Sequence, residues 1–302
     1  MLTFRDFDEW GEAVSGASLR LACDSVETPS WTLGILDLGG TVLQVASEGG
    51  GNVCYGGNTH TGPLLFVPLT HASEHVVNGE SLDDDSLFAI ARNADFSISV
   101  RRKAHSWCSI ALASDAALPG VDPLAGSARM ACRAGAVRTL RNLARSIASS
   151  LLEIPVRTAA HRAAGAELSR AAVDCLTVAE PPPPPVPGRP RIDRRMIVRR
   201  SMEAIDAATT LPTAADLARH AGVNGRTLLR AFQETYGMPP KRYLVLRELH
   251  LIRRVLNAGA PDDAKVADVL ARHGIWEFGR FAGRYRRHFG ELPSTTLKRA
   301  RA

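Results

Sequence analysis

The chain has 302 residues, of which 45% are hydrophobic and 23% charged; this allows two modest domains with cores of their own and excludes a disordered or collagen-like protein. No run of eighteen apolar residues offers a membrane span, and Met1 to Trp10 is acidic and polar rather than a basic patch followed by an apolar stretch, so a soluble cytoplasmic protein is expected. The net charge of +6 hides an asymmetry: residues 1–188 carry 14 Lys+Arg against 20 Asp+Glu, and residues 189–302 carry 23 against 11, a net of +12.

From Leu19 to Leu112 short apolar runs recur at Trp31 to Leu38, Thr41 to Ala46, Leu64 to Val67, Leu87 to Ile90, Phe96 to Val100 and Ser109 to Leu112. Gly39-Gly40, Gly49 to Gly51, Gly56-Gly57, Asn78-Gly79 and the acidic run Asp83 to Asp85 punctuate them, which predicts antiparallel hairpins closing into a barrel or sandwich over residues 1–127. His60, His71, Glu74 and His75 lie near one another in sequence but match no ligand spacing, so no metal is expected; polar surface is the plainer reading of such imidazoles. The five cysteines, Cys23, Cys54, Cys108, Cys132 and Cys175, are scattered without a CxxC pair, which predicts free thiols.

Residues 128–180 shift to Ala, Arg and Leu, with Pro155 dividing two predicted helices. In the first, Val137, Leu140, Ala144, Ile147 and Leu151 step by three and four and form one apolar stripe. Packing on the β domain and pairing with a second copy of the helix would both cover it; the second makes this a dimerisation segment. Residues 181–190, with five consecutive prolines, favour polyproline II and read as a semi-rigid linker.

Residues 191–302 are basic and helical by pattern, the electrostatic footprint of a polyanion binder, since counterion release from phosphates supplies much of DNA affinity. Charge alone leaves RNA and anionic membrane open. The sequence is also internally repeated. Thr213 to His220 starts on a capping Thr, meets Ala221-Gly222-Val223 and opens a second helix at Asn224, so that residues 213–236 read as helix, tight turn, helix. Fifty-two residues later Val269-Leu270 and Gly274-Ile275 stand for Leu217-Ala218 and Gly222-Val223. The offset then becomes fifty-three: Leu228 pairs with Phe281, Phe232 with Tyr285, Tyr236 with Phe289, Gly237 with Gly290 and Pro240 with Pro293. One residue is therefore inserted at the start of the second reading helix, within residues 265–289. Between the repeats, 239–257 predicts a helix of roughly nineteen residues, near 28 Å at about 1.5 Å per residue, which could set the reading helices about one DNA turn apart.

Ala221-Gly222-Val223-Asn224 through Leu228, Arg230, Phe232, Gly237, Pro240 and Tyr243, then Gly274-Ile275-Trp276-Glu277-Phe278-Gly279-Arg280-Phe281 through Tyr285, Phe289-Gly290 and Pro293, resemble the two subdomains of the AraC/XylS DNA-binding domain. The second half is most similar to the branch containing the ethanolamine-utilisation regulators. The resemblance implies an α+β protein of two domains: an N-terminal cupin-like antiparallel β barrel with flanking helices, and a C-terminal all-α domain with two helix-turn-helix subdomains joined by a linker helix. It also implies a transcription regulator, an activator, that partners double-stranded DNA and RNA polymerase, acts as a homodimer, answers to a small-molecule effector, needs no cofactor and is not an enzyme. A regulator without an effector and a cupin-type enzyme fused to a DNA reader are the alternatives. Asn224 replaces the family's frequent Ser at the first cap, a chemically equivalent change. Gly283 stands where many members carry Arg, which puts base contact there in doubt.

The reading face of the first helix is expected to hold Arg226, Thr227, Leu229, Arg230 and Gln233, with Leu228, Ala231, Phe232 and Tyr236 inward. In the second, Arg280, Arg284 and Arg287 repeat at i, i+4 and i+7 opposite Phe278, Phe281, Tyr285 and Phe289, while Gly279 and Gly283 allow close approach of backbone to DNA. Arg can grip guanine and Gln adenine bidentately in the major groove. Lys241, Arg242, Arg253 and Arg254 on the linker helix are phosphate candidates.

Overall fold

The computed structural model describes residues 1–114, 116, 126–154, 158–177, 193–208, 210–258 and 265–301. Pro155 and the proline-rich stretch 181–190 lie outside them. Two compact units emerge, Met1–Pro190 and Arg191–Ala302.

The first unit opens with β1 (Leu2–Phe4) and α1 (Phe7–Ala13), whose N-cap Asp6 accepts from the backbone of Asp8 and Glu9. There follow β2 (Ala17–Cys23), β3 (Trp31–Asp37), β4 (Val42–Glu48), β5 (Asn52–Asn58), β6 (Leu64–Pro68), β7 (His75–Val77), β8 (Glu80–Ser81), β9 (Ser86–Ile90), β10 (Asp95–Val100), β11 (His105–Ala111) and β12 (Ser127–Ala131), then α2 (Ala136–Leu151) and α3 (Ala159–Thr177). A seven-stranded sheet runs β1-β3-β4-β11-β6-β9-β12 and a five-stranded sheet β2-β5-β10-β7-β8, with every pairing antiparallel. One apolar core joins Leu21, Phe96 and Ile98 of the smaller sheet to Leu43, Leu65, Phe88 and Trp107 of the larger. Asn78 and Gly79 both take positive φ between β7 and β8, which a two-residue hairpin of matching twist requires.

Two expectations are corrected here. Gly56-Gly57 is not a turn: Gly56 sits inside β5, paired with Leu19 on one side and Phe96 on the other. A Cβ on Gly56 would stand 2.7 Å from the Ser18 carbonyl oxygen and 2.8 Å from Leu19 Cδ2, so glycine serves close strand approach there. The second concerns the stripe of α2. Val137, Leu140, Ala144, Ile147 and Leu151 are all buried in the unit's own core, α2 lying against β3, β4, β6 and α3. A fully buried Leu or Ile stabilises by about 1.5–3 kcal/mol, so this face is committed to the chain's own sheet. Among the described residues of 128–180, β12 pairs into the larger sheet and α2 packs on that sheet.

The second unit contains α4 (Arg194–Ala207), α5 (Ala214–Ala221), α6 (Gly225–Tyr236), α7 (Pro240–Asn257), α8 (Val266–Arg272), α9 (Phe278–Phe289) and α10 (Pro293–Ala300). The eighteen residues of α7 span about 27 Å. Its first turns bury Tyr243 and Leu244; its later turns bury Leu249, Ile252 and Leu256 together with Val269, Leu270, Phe281, Tyr285 and Leu297. One rigid helix is thereby shared by two small cores.

Candidate nucleic-acid interface and cavity

The duplication is visible at the level of single hydrogen bonds. Helices α5 and α8 lead into Gly222 and Gly274, both left-handed at φ +69° and +73°, a conformation glycine adopts without a Cβ penalty. The next amides, of Val223 and Ile275, reach back to the carbonyls of Ala218 and Leu270 at 3.0 and 2.9 Å. Helices α6 and α9 then run twelve residues each and end on left-handed Gly237 and Gly290. Two residues join the turn glycine to α6, and three join it to α9. The inserted residue thus lies in the turn, ahead of the helix, and it brings Trp276, which is 73% exposed.

Inward faces match in the same way. Leu228, Ala231, Phe232 and Tyr236 of α6 are buried, and Phe232, Tyr236 and Tyr243 form an aromatic cluster in which the two tyrosines stack at 4.9 Å. In α9, Phe281 and Tyr285 are buried, with the Tyr285 hydroxyl 2.9 Å from that of Thr296. Phe278, expected inward, is exposed because it is the first residue of its helix.

The outward faces differ. On α6, Arg226, Leu229, Arg230 and Gln233 are exposed and Thr227 is half-buried. The helix is capped by the Asn224 side chain, which accepts from the Thr227 amide at 2.9 Å. Arg230 lies 3.0 Å from Glu234 one turn on, and Arg194 of α4 pairs with the same carboxylate. On α9, Gly279, Arg280 and Arg287 are exposed. A Cβ at Gly279 would meet nothing and one at Gly283 only the end of Arg287 at 3.7 Å, so no packing among the described residues asks for either glycine. Glu277 caps α9 without a side-chain hydrogen bond to its amides and holds Arg280 at 3.0 Å instead.

Arg284 departs from the expected stripe of three equivalent arginines. Its guanidinium pairs with Glu248 of α7 at 3.2 Å and lies over the Phe281 ring, both partners being mostly buried. Burial pushes the Glu248 carboxyl above its ordinary value, and Arg284 pulls it only partly back. Arg253, a phosphate candidate by sequence, likewise turns inward: it stacks 4.2 Å over Phe289 and stands 3.7 Å from Glu291. Lys241 and Arg242 are exposed, and Arg254 is half-buried. No sequence signal pointed to Glu248, because it meets Arg284 across 36 residues of chain.

The first unit encloses a cavity of about 580 Å³, open mouth included, lined by strands of both sheets and by Trp10 of α1. Leu19, Leu64, Phe66, Phe96 and Ile98 give it apolar walls, and Gln44, Glu48, Asn52 and His105 add polar groups. None of these was singled out by sequence; the only trace was polar Gln44 and Glu48 on a strand whose other residues are mostly apolar. His75 is fully buried beside His105, their rings 4.8 Å apart and edge to face, with its Nδ1 3.0 Å from the His71 carbonyl. Desolvation, with His105 adding to it, drives the His75 pKa down to about 3. His71 is exposed and His60 and Glu74 are half-buried; among the described residues no three His, Cys, Asp or Glu side chains gather as a metal set. The five cysteines are free thiols, and burial pushes that of Cys108 up to about 12.

Comparison with known proteins places this geometry. A family model described as a helix-turn-helix domain matches residues 217–299. The chain is 34% identical over 118 residues to the "Probable thc operon regulatory protein" of Rhodococcus erythropolis, covering 39% of this chain and 33% of that protein. It is 32% identical over 112 residues to the XylDLEGF operon transcriptional activator 2 of Pseudomonas putida, covering 37% of this chain and 68% of that relative. A crystal structure of a probable AraC family transcriptional regulator from Rhodopseudomonas palustris is 34% identical, covering 35% of this chain and 98% of that one with a TM-score of 0.32. The second unit is thus a tandem helix-turn-helix domain. The chain belongs to the AraC/XylS family of transcription regulators. It spans about a third of the length of the Rhodococcus relative. Among the described residues no helix is long and apolar enough to cross a membrane.

Proposed function

We propose that the chain binds specific duplex DNA through α6 and α9 and activates transcription from it, by contact with RNA polymerase, under control of a small molecule held in the cavity of the first unit. The observation that carries the reading is the duplicated turn framework with Arg226, Arg230 and Gln233 exposed on α6 and Arg280 and Arg287 exposed on α9. Bases are read by Arg226, Arg230 and Gln233 in the first major-groove segment. In the second, Arg280 and Arg287 do so, with the bare backbone at Gly279 and Gly283 letting the helix lie close and Thr227 and Leu229 meeting the groove wall. The homodimer that the family resemblance implies takes its interface away from the α2 stripe, which is spent in the core; Leu140→Glu should therefore unfold the first unit rather than yield a folded monomer.

The test is binding of the full chain to duplexes selected from a random library, measured between about 50 and 200 mM salt and followed by footprinting. The expected result is a steep loss of affinity with salt, about 0.9 log unit per log unit for each phosphate contacted, and two protected segments about one turn apart on one face. Salt-independent binding, or selection of no consensus, overturns the reading.

A further inference from the structure

The cavity of the first unit presents hydrogen-bond acceptors that no donor among the described residues meets. Gln44 is spent within the chain: its amide donates to the Ser15 carbonyl at 2.8 Å and the Ser109 hydroxyl at 3.2 Å, and its oxygen accepts from the Ser15 amide at 3.1 Å. Glu48 is not. Its Oε1 accepts from the Trp107 indole, while Oε2 is buried and unpartnered. Asn52 Oδ1 is in the same condition. His105 Nδ1 stands 3.0 Å from the Lys103 carbonyl, which can only accept, so Nδ1 holds a proton and donates. Nε2 lies 3.6 Å from Glu48 Oε1, and that carboxylate holds the ring's pKa above its ordinary value despite burial, so Nε2 takes a proton toward Glu48 and is not a free acceptor. All three residues are more than nine-tenths buried, and all three line the cavity. A buried acceptor left unmet costs about 1–3 kcal/mol, more when charged, and a carboxylate is the group that burial penalises most.

From this we infer that the cavity binds a small, largely apolar molecule carrying a primary ammonium group, seated with its N–H bonds on Glu48 Oε2 and Asn52 Oδ1. The inference rests on the ligand-controlled reading above and gives that ligand its chemical class. The walls formed by Leu19, Leu64, Phe66, Phe96 and Ile98 take the apolar body; an ammonium supplies donors to the two unmet oxygens, and its charge faces the one buried carboxylate of the lining. A carboxylate ligand meets the opposite conditions, since its charge repels Glu48 and it brings no donor.

Three probes sharing one aromatic body test it: 2-phenylethylamine, 2-phenylethanol and phenylacetate, titrated calorimetrically into the full chain. The amine is expected to bind saturably and the alcohol more weakly, with phenylacetate at least tenfold weaker than the amine. Glu48→Gln keeps an acceptor for Trp107 and removes the charge; it should weaken the amine about thirtyfold or more, as truncating one side of a buried charge pair does, and leave the alcohol nearly unchanged. Asn52→Ala, which leaves Glu48 and its Trp107 bond in place, should weaken the amine several-fold and serves should Glu48→Gln not fold. Phenylacetate binding as tightly as the amine, or amine affinity surviving Glu48→Gln, overturns the ammonium assignment and leaves the ligand-controlled reading standing. Saturable binding by none of the three overturns both.

Discussion

In the first half of the DNA-binding unit, Phe232 packs edge-on against the stacked Tyr236 and Tyr243 below an α6 whose exposed arginines stand on a side-chain-capped helix; in the second, Tyr285 and Phe289 occupy the places of Phe232 and Tyr236 on an α9 with a longer turn, no side-chain cap and an arginine drawn into an ion pair. Residues that fill the two cores correspond in order, at an offset of fifty-two before the turn and fifty-three after it, and residues that face outward do not. Packing tolerates only substitutions of similar shape, because a change of one methylene is felt in a close-packed interior. A solvated face carries no such constraint, and the two faces are free to meet different DNA.

The largest expected effect lies in what the halves share. Phe232→Ala and Phe281→Ala each remove a fully buried ring and should each cost about 3–5 kcal/mol. The damage should stay local: protection from hydrogen exchange is lost in α5 and α6 for the first variant and in α8 and α9 for the second, while the other core holds. Equal loss in both halves from either substitution would mean that α7 couples them into one cooperative unit.

Much of this unit was readable without coordinates. The spacing of Leu228, Phe232 and Tyr236, the paired glycines and the prolines at the helix starts are local signals, set by helical period and by φ, and they carry over directly to structure. Signals that depend on distant chain were not readable. Sequence aligns the helices but not the turn, so the inserted residue read as the start of the second reading helix whereas it lies in the turn before it, and Arg284 looked like its neighbours until Glu248 was brought against it. The first unit shows the same division: the hairpin at Asn78-Gly79 is local, whereas the glycines inside β5 look like a turn until the flanking strands close over them. Glu48, Asn52 and His105 meet only through sheet pairing.

A middle-sized effect separates the two reading faces. Arg230→Ala should weaken a selected site by about 1–3 kcal/mol, roughly five- to 150-fold, while changing binding to random duplex little, since a bidentate base contact is lost and few phosphates are affected. Arg284→Ala should do the reverse: specificity is kept, and the loss appears as instability of the second core, because Glu248 is left mostly buried without its cation. Glu248→Gln sharpens the contrast through pH. Burial holds the folded-state pKa of Glu248 above its ordinary 4.5, so protonation favours folding: the contribution of this group is greatest below pH 4.5 and is lost as pH rises through the folded value. Between about pH 4.5 and 7 the parent should lose stability from this source that the Gln variant does not lose. A variant whose stability falls in parallel with the parent over that range, measured by urea unfolding, would exclude Glu248 as its origin.

The smallest effect concerns how the two helices begin. The Asn224 carboxamide oxygen accepts from the Thr227 amide and satisfies one of the donors every helix leaves open, so Asn224→Ala should cost about 1 kcal/mol in the first half. Glu277 gives α9 no such bond; it contributes a negative charge near the helix N-terminus and an exposed pair with Arg280. Each is worth well under 1 kcal/mol at the surface, so Glu277→Ala should leave stability almost unchanged. It should nonetheless alter binding, because a carboxylate beside the reading helix repels phosphate and holds Arg280 back. Affinity for a selected duplex should rise a few-fold at low salt and the gain should shrink as salt is added. A Glu277→Ala chain that loses as much stability as Asn224→Ala would show that the second helix depends on that carboxylate for its start, and a chain with unchanged affinity would place Arg280 outside the interface.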